Sequence, residues 1–123
     1  MLKDDFYTIV EKNKTNAGFS FLVRLNEKHS IYNGHFPGQP VVPGACLLQM
    51  LIEFTEVMLE RKVKFLQADE LKFLVPINPI EDNILHAQVS YITGSEGKIN
   101  VTAAFSQQSK SPCFKCKTVF GNI

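Results

Sequence analysis

Tryptophan is absent from this 123-residue chain, and cysteine is scarce at three. An odd cysteine count excludes a complete disulfide framework and fits a reducing compartment. No apolar run approaches the length of a membrane-spanning helix. The first residues, MLKDDFYTIVEK, lack the basic segment, apolar run and small-residue cleavage site of a signal peptide. A cytoplasmic location and no membrane partner are therefore expected. Charge of one sign is also missing: the net charge is +1, which gives no global reason to bind nucleic acid or an anionic surface. No P-loop, dinucleotide-binding glycine signature or G-x-S-x-G occurs. His29, His35 and His86 share no metal-ligand spacing. No cofactor and no metal are expected.

What is present suits one globular domain over residues 1–123: 45% hydrophobic and 20% charged residues, enough for one core. Cys113 and Cys116 form a C-x-x-C, but CFKCKTVF reads as a strand and would place them on opposite faces. They are read as structural thiols. Residues 6–13 make a short strand candidate. AGFSFLVRLNE (17–27) alternates, with Phe19, Phe21, Val23 and Leu25 on one face and Ser20, Arg24 and Asn26 on the other, as in a half-buried strand. Residues 28–42 form a loop with a helical turn near Ser30–Asn33. Pro43 is placed to open a helix running to about Arg61, apolar nearly all round and so buried on most sides. Its one polar stripe is Gln49, Glu53, Glu56 and Glu60. Four more strands follow, at 63–77 with a bulge near Ala68–Asp69, 84–92, 98–107 and 113–120, with a hairpin turn at TGSEGK. The pattern is α+β, one long buried helix against an antiparallel sheet.

HFPGQPVVPG (35–44) holds three of the six prolines. Each proline fixes one φ angle and lowers the entropy lost on ordering the loop. Within it, His35 has the side-chain type whose charge changes near neutrality, suited to a general base. Gly44 sits just inside the helix start, where an amide has no intrahelical partner and negative charge is favoured. The loop resembles the signature of the 3-hydroxyacyl-[acyl carrier protein] dehydratases, H-F-x-G-x-P-x-x-P-G. LKFLVPINPIEDNIL resembles that family's K-F-x-x-P-V-x-P-G-D segment, with Ile80 and Glu81 in place of its glycine. The element order is similar to that of the hotdog fold, a curled antiparallel sheet wrapped around one long helix.

The resemblance implies a lyase that removes water from a 3-hydroxyacyl thioester borne on acyl carrier protein, with His35 as base and the Gly44 N–H as donor to the thioester oxygen. It implies substrate contacts from Phe36, Gly38, Pro40, Val41, Val42 and Pro43. It further implies a homodimer, or a trimer of dimers, in which His35 of one subunit faces the position-49 side chain of the other. In that family the His–Phe peptide can be cis. Lys62, Lys64, Lys110, Lys115 and Lys117 are the basic residues available to an acidic carrier protein.

One departure matters. The family places an acid fourteen residues after its histidine and a glutamine four residues further on; here these positions hold Gln49 and Glu53. An amide holds a hydroxyl or a water but supplies no proton. Glu53 should lie about 6 Å along the axis from Gln49, on the same face. Three arrangements stay open. His35 acts alone while Gln49 orients the hydroxyl, Glu53 reaches the site directly or through water, or the acid is lost. Two further activities compete on this fold, an acyl thioesterase using Glu53 and a non-catalytic acyl-binding subunit partnering an active dehydratase. Glu56 and Glu60 read as a solvated stripe.

Overall fold

The computed structural model describes residues 1–34, 38–108 and 111–123. Strands β1 (Tyr7–Lys14) and β2 (Gly18–Leu25) precede a short helix α1 (Ile31–Gly34) and the long helix α2 (Gly44–Leu59). Strands β3 (Val63–Phe73), β4 (Ile84–Thr93), β5 (Ile99–Ser106) and β6 (Phe114–Asn122) complete the chain. The strands form one sheet in the order β1-β2-β4-β5-β6-β3, antiparallel throughout. This is the hotdog fold, with α2 as the enclosed helix.

The strands form where apolar side chains alternate. Phe21, Val23 and Leu25 of β2 are buried, as are Leu85, Ala87 and Val89 of β4 and Val101, Ala103 and Phe105 of β5. They close on the apolar flank of α2, where the Phe54 ring stacks on Phe21 at 4.7 Å and meets Phe105 edge-on at 5.7 Å. Burial of such rings, at roughly 25 cal/mol per Å², is what fixes the helix to the sheet. Gly18 is required by close approach: a Cβ there would collide with the Val89 carbonyl of β4.

The sequence expectations hold for six strands and one long helix, with differences at element ends. Pro43 is extended (ψ 142°) and flanks the helix as its N-cap, so Gly44 is the first helical residue. The helix stops at Leu59 because Glu60 turns left-handed (φ 56°), two residues before the expected end. Strand β3 ends at Phe73, short of the expected 77, and its pairing with β6 slips twice, at Phe65/Gln67 and at the expected Ala68/Glu70 bulge. Beyond it, the Leu74 and Val75 amides both donate to the Cys113 carbonyl. Cys113 lies in the bend ahead of β6, so strand alternation does not carry it outward. Both Cys113 and Cys116 are buried and free, correcting the opposite-face placement while keeping them structural.

Candidate active site

A main-chain bond ties the loop into α2 to the chain beyond β3, Val42 N–H donating to the Ile77 carbonyl at 2.9 Å. That bond seats Val42 in the core and turns the chain at Pro43. The Pro43 carbonyl then accepts from both Cys46 and Leu47, which leaves the Gly44 and Ala45 amides without a helical acceptor. These amides start a sixteen-residue helix, at the end that favours negative charge. Gly44 opens on an apolar cleft of about 350 Å³, lined with Val41, Val42, Pro43, Leu47 and Phe73 and closed below by Ile77 and Cys113. The Phe73 ring packs so near that a Cβ on Gly44 would lie 2.9 Å from it. The cleft is an apolar slot with a backbone N–H at its edge.

Of the expected substrate contacts, Val41, Val42 and Pro43 line this cleft. Pro40 is buried beside them in sequence, and Gly38 is exposed with φ 86°, a left-handed conformation that favours glycine. His35 and Phe36, and with them the isomer of the peptide joining them, lie outside the described residues, as does Lys110.

Gln49 and Glu53 come together, away from the cleft. Gln49 is five residues beyond Gly44, hence about 140° round the helix, and does not line the cleft. Its Nε2 donates to Glu53 Oε2 at 2.9 Å. Glu53 is 2% exposed and accepts three more bonds. These come from Leu2 N–H at 2.7 Å, Lys3 N–H at 2.8 Å and the Tyr7 hydroxyl at 3.0 Å. Burial, then the negative charge and hydrogen bond of Glu53, push the Tyr7 phenol well above its ordinary range, so it remains a donor. Both carboxylate oxygens are occupied. Glu53 therefore ties the chain's first strand and its preceding turn to α2, and the arrangement in which it reaches the site as an acid requires some of these bonds to open.

The rest of the stripe divides. Glu56 is only partly solvated: its carboxylate accepts the Val63 N–H at 3.1 Å and lies 3.7 Å from Lys62, so it closes the turn into β3. Glu60 is exposed, as expected. Tyr7 was the residue missed from the sequence. Its signal was a tyrosine on a strand whose neighbours are mostly polar, where a buried hydroxyl needs a partner.

The other titratable groups are structural or solvated. His29 Nδ1 accepts the Ile31 N–H at 3.1 Å and Nε2 faces Asp5 at 3.1 Å. His86 is exposed on β4. Burial raises the Cys46 and Cys113 thiols and pushes Cys116 up to about 11, so none of the three is a poised nucleophile. Among the described residues no cluster of three or more His, Cys, Asp or Glu is placed to hold a metal. Lys115 and Lys117 are exposed on β6, and Lys72 lies opposite Lys115 in the β3–β6 register.

Residues 11–115, which contain the whole loop, helix α2 and strands β2 to β5, match the model of the ApeI-like family, described as ApeI dehydratase. The chain belongs to the ApeI-like dehydratase family. Among curated relatives, the 3-hydroxyacyl-[acyl-carrier-protein] dehydratase FabZ of Bacillus licheniformis is 33% identical, over 76% of this chain and 68% of its own length. The FabZ of Roseobacter denitrificans is 30% identical over 72% of this chain. The alignment spans only 62% of that relative's length. Among solved structures, the dehydratase heterocomplex ApeI:P of Xenorhabdus doucetiae superposes with a TM-score of 0.75 at 16% identity, covering 93% of this chain and 96% of that one. The (R)-hydratase of A. caviae gives 0.66 at 14% identity, covering 89% and 98%. These two likenesses concern the fold.

Proposed function

We propose that this ApeI-like protein eliminates water from a 3-hydroxyacyl thioester carried on acyl carrier protein. The observation that carries the reading is the Gly44 amide, free at the start of α2 and set at the edge of an apolar cleft of about 350 Å³. The thioester oxygen accepts from that amide, which stabilises the charge developing as the C2 proton leaves. His35 takes the proton from C2, the C2–C3 double bond forms as the C3–O bond breaks, and the same proton passes from His35 to the departing hydroxyl to give water. Gln49 holds the hydroxyl.

A complete site takes two copies. Within one chain Gly44 and Gln49 point to different sides of α2, so a substrate touching both draws Gly44 from one subunit and Gln49 from the other. Strand β3 supports such a homodimer: it is a sheet edge, and its Leu71 and Phe73 are exposed, Phe73 by 56%. Residues 1–123 act as one domain in this assembly. Lys72, Lys115 and Lys117 on the outer sheet face give an acidic carrier protein a basic surface.

The saturated carboxylate of Glu53 argues against the thioesterase reading, which needs that group free for a water. The absence of an acid at position 49 favours one competitor, a non-catalytic acyl-binding subunit. Incubation with 3-hydroxyacyl carrier protein separates the readings. Enoyl product that vanishes in His35→Ala supports the lyase. Free acid indicates thioesterase activity, and retained acyl chain without product indicates a binding subunit.

A further inference from the structure

We infer that Glu53 is a positioning residue that fixes the Gln49 amide with its nitrogen turned inward, leaving the Oε1 oxygen to accept the substrate's 3-hydroxyl hydrogen. This rests on the proposed site and adds to it the orientation of one group.

The orientation follows from who can donate. Each Glu53 oxygen accepts a backbone N–H, Leu2 on Oε2 and Lys3 on Oε1, and a backbone N–H has no alternative role. The carboxylate is thereby held by main chain on both sides, with Tyr7 as a third anchor on Oε1. Gln49 lies one turn away, and its atom 2.9 Å from Oε2 must be the nitrogen, because an amide oxygen there would face an acceptor across a part-buried contact. A rotation of the amide by 180° would break a hydrogen bond to a charged group and bring two oxygens together. The half-buried Gln49 thus presents one defined acceptor.

An acceptor at this position selects for the hydroxyl. A saturated acyl chain of the same length would leave the oxygen unpaired, whereas a 3-hydroxyacyl chain satisfies it. The oxygen binds the hydroxyl without protonating it, which is why the proton that completes water must come back from the base.

The test compares binding of two pantetheine thioesters of equal chain length, one 3-hydroxyacyl and one saturated, to the full chain and its variants. The wild type is expected to prefer the hydroxylated thioester by about fivefold, the worth of one neutral hydrogen bond. In Glu53→Met the preference falls to near unity while affinity for the saturated thioester is kept. Tyr7→Phe removes one anchor and lowers stability, yet leaves the preference intact, which separates orientation from general loosening. Should Glu53→Met not fold, the Gln49 side-chain amide is read by NMR in the wild type. Resonances shifted and protected by a carboxylate bond support the inference, and an amide averaging like an exposed glutamine overturns it. Equal binding of both thioesters by the wild type also overturns it, as does a preference that survives Glu53→Met. A hydroxyl preference without enoyl product would instead count against the dehydratase reading alone.

Discussion

Gln49 and Glu53 are joined side chain to side chain at 2.9 Å, and Glu53 is 2% exposed. A residue that sequence spacing offers as a relocated acid is instead the junction between α2 and the start of the chain. The electrostatics of position 49 therefore depend on a buried carboxylate anchored to the start of the chain.

Replacing Gln49 by glutamate puts two carboxyl groups within hydrogen-bond distance. They cannot both ionise at that separation, so the pair retains a proton well above the ordinary carboxylate range. Because the pair's folded pKa is raised, its contribution to stability is present at low pH and is lost as pH rises through that value. Gln49→Glu should match the wild type near pH 5 and fall below it by about 1–3 kcal/mol at pH 8. Urea melts at the two pH values check this, and equal stability at pH 8 would refute it.

Glu53→Ala leaves two backbone amides, a phenol and an amide without their shared acceptor. A loss of about 3 kcal/mol is expected, with some relief where the chain's first residues move into water. Amide exchange at Leu2 and Lys3 should speed up far more than at Phe54, which the same helix keeps in the core. Unchanged protection at Leu2 and Lys3 would mean that Glu53 does not hold the first residues.

Gly44→Ala separates stability from function. Alanine is the better helix residue by up to about 1 kcal/mol, and the backbone here demands no glycine conformation. Its Cβ, however, meets the Phe73 ring at 2.9 Å and pushes that exposed ring across the cleft. The variant should melt no lower than wild type and bind acyl thioesters more weakly, by about tenfold or more. Phe73→Ala on the same background should restore binding.

Alkaline pH should unfold the protein earlier than its net charge would lead one to expect. Burial raises the thiols of Cys46, Cys113 and Cys116, the last from 9.0 to about 11, and raises the phenols of Tyr7 and Tyr32 from 10.0. The Tyr32 hydroxyl is buried with no partner among the described residues. A group whose folded pKa is raised gives stability that is complete below its unfolded pKa and lost as pH climbs through the folded one. The melting temperature should hold up to about pH 9 and then decline steeply through pH 11. A flat profile to pH 11 would show that these groups are not buried in solution.

Alternation made the fold legible. The faces of β2, β4 and β5, the long apolar helix and even the slip near Ala68 could be read locally, because burial acts on every second or every third and fourth residue regardless of partner. Element ends were less legible. Pro43 suits either the flank or the first turn of a helix; its ψ is 142°, next to the Val42–Ile77 bond, a contact between residues far apart in sequence. Cys113 likewise sits one residue ahead of β6, its carbonyl accepting from the amides of Leu74 and Val75 and its own amide donating to Phe105, contacts set by distant residues.

The polar stripe divides the two kinds of information most sharply. The sequence alone determined that Gln49, Glu53, Glu56 and Glu60 share a helical face, since that is fixed by 3.6 residues per turn. It also placed Gly44 at a helix start and identified the loop that leads there. Only the tertiary structure decided which of the four would be buried and what each would meet. Leu2, Lys3 and Tyr7 are some fifty residues from Glu53. No local rule brings them to it. They arrive because β1 pairs with β2 and β2 packs on α2, and there the Glu53 carboxylate accepts from all three.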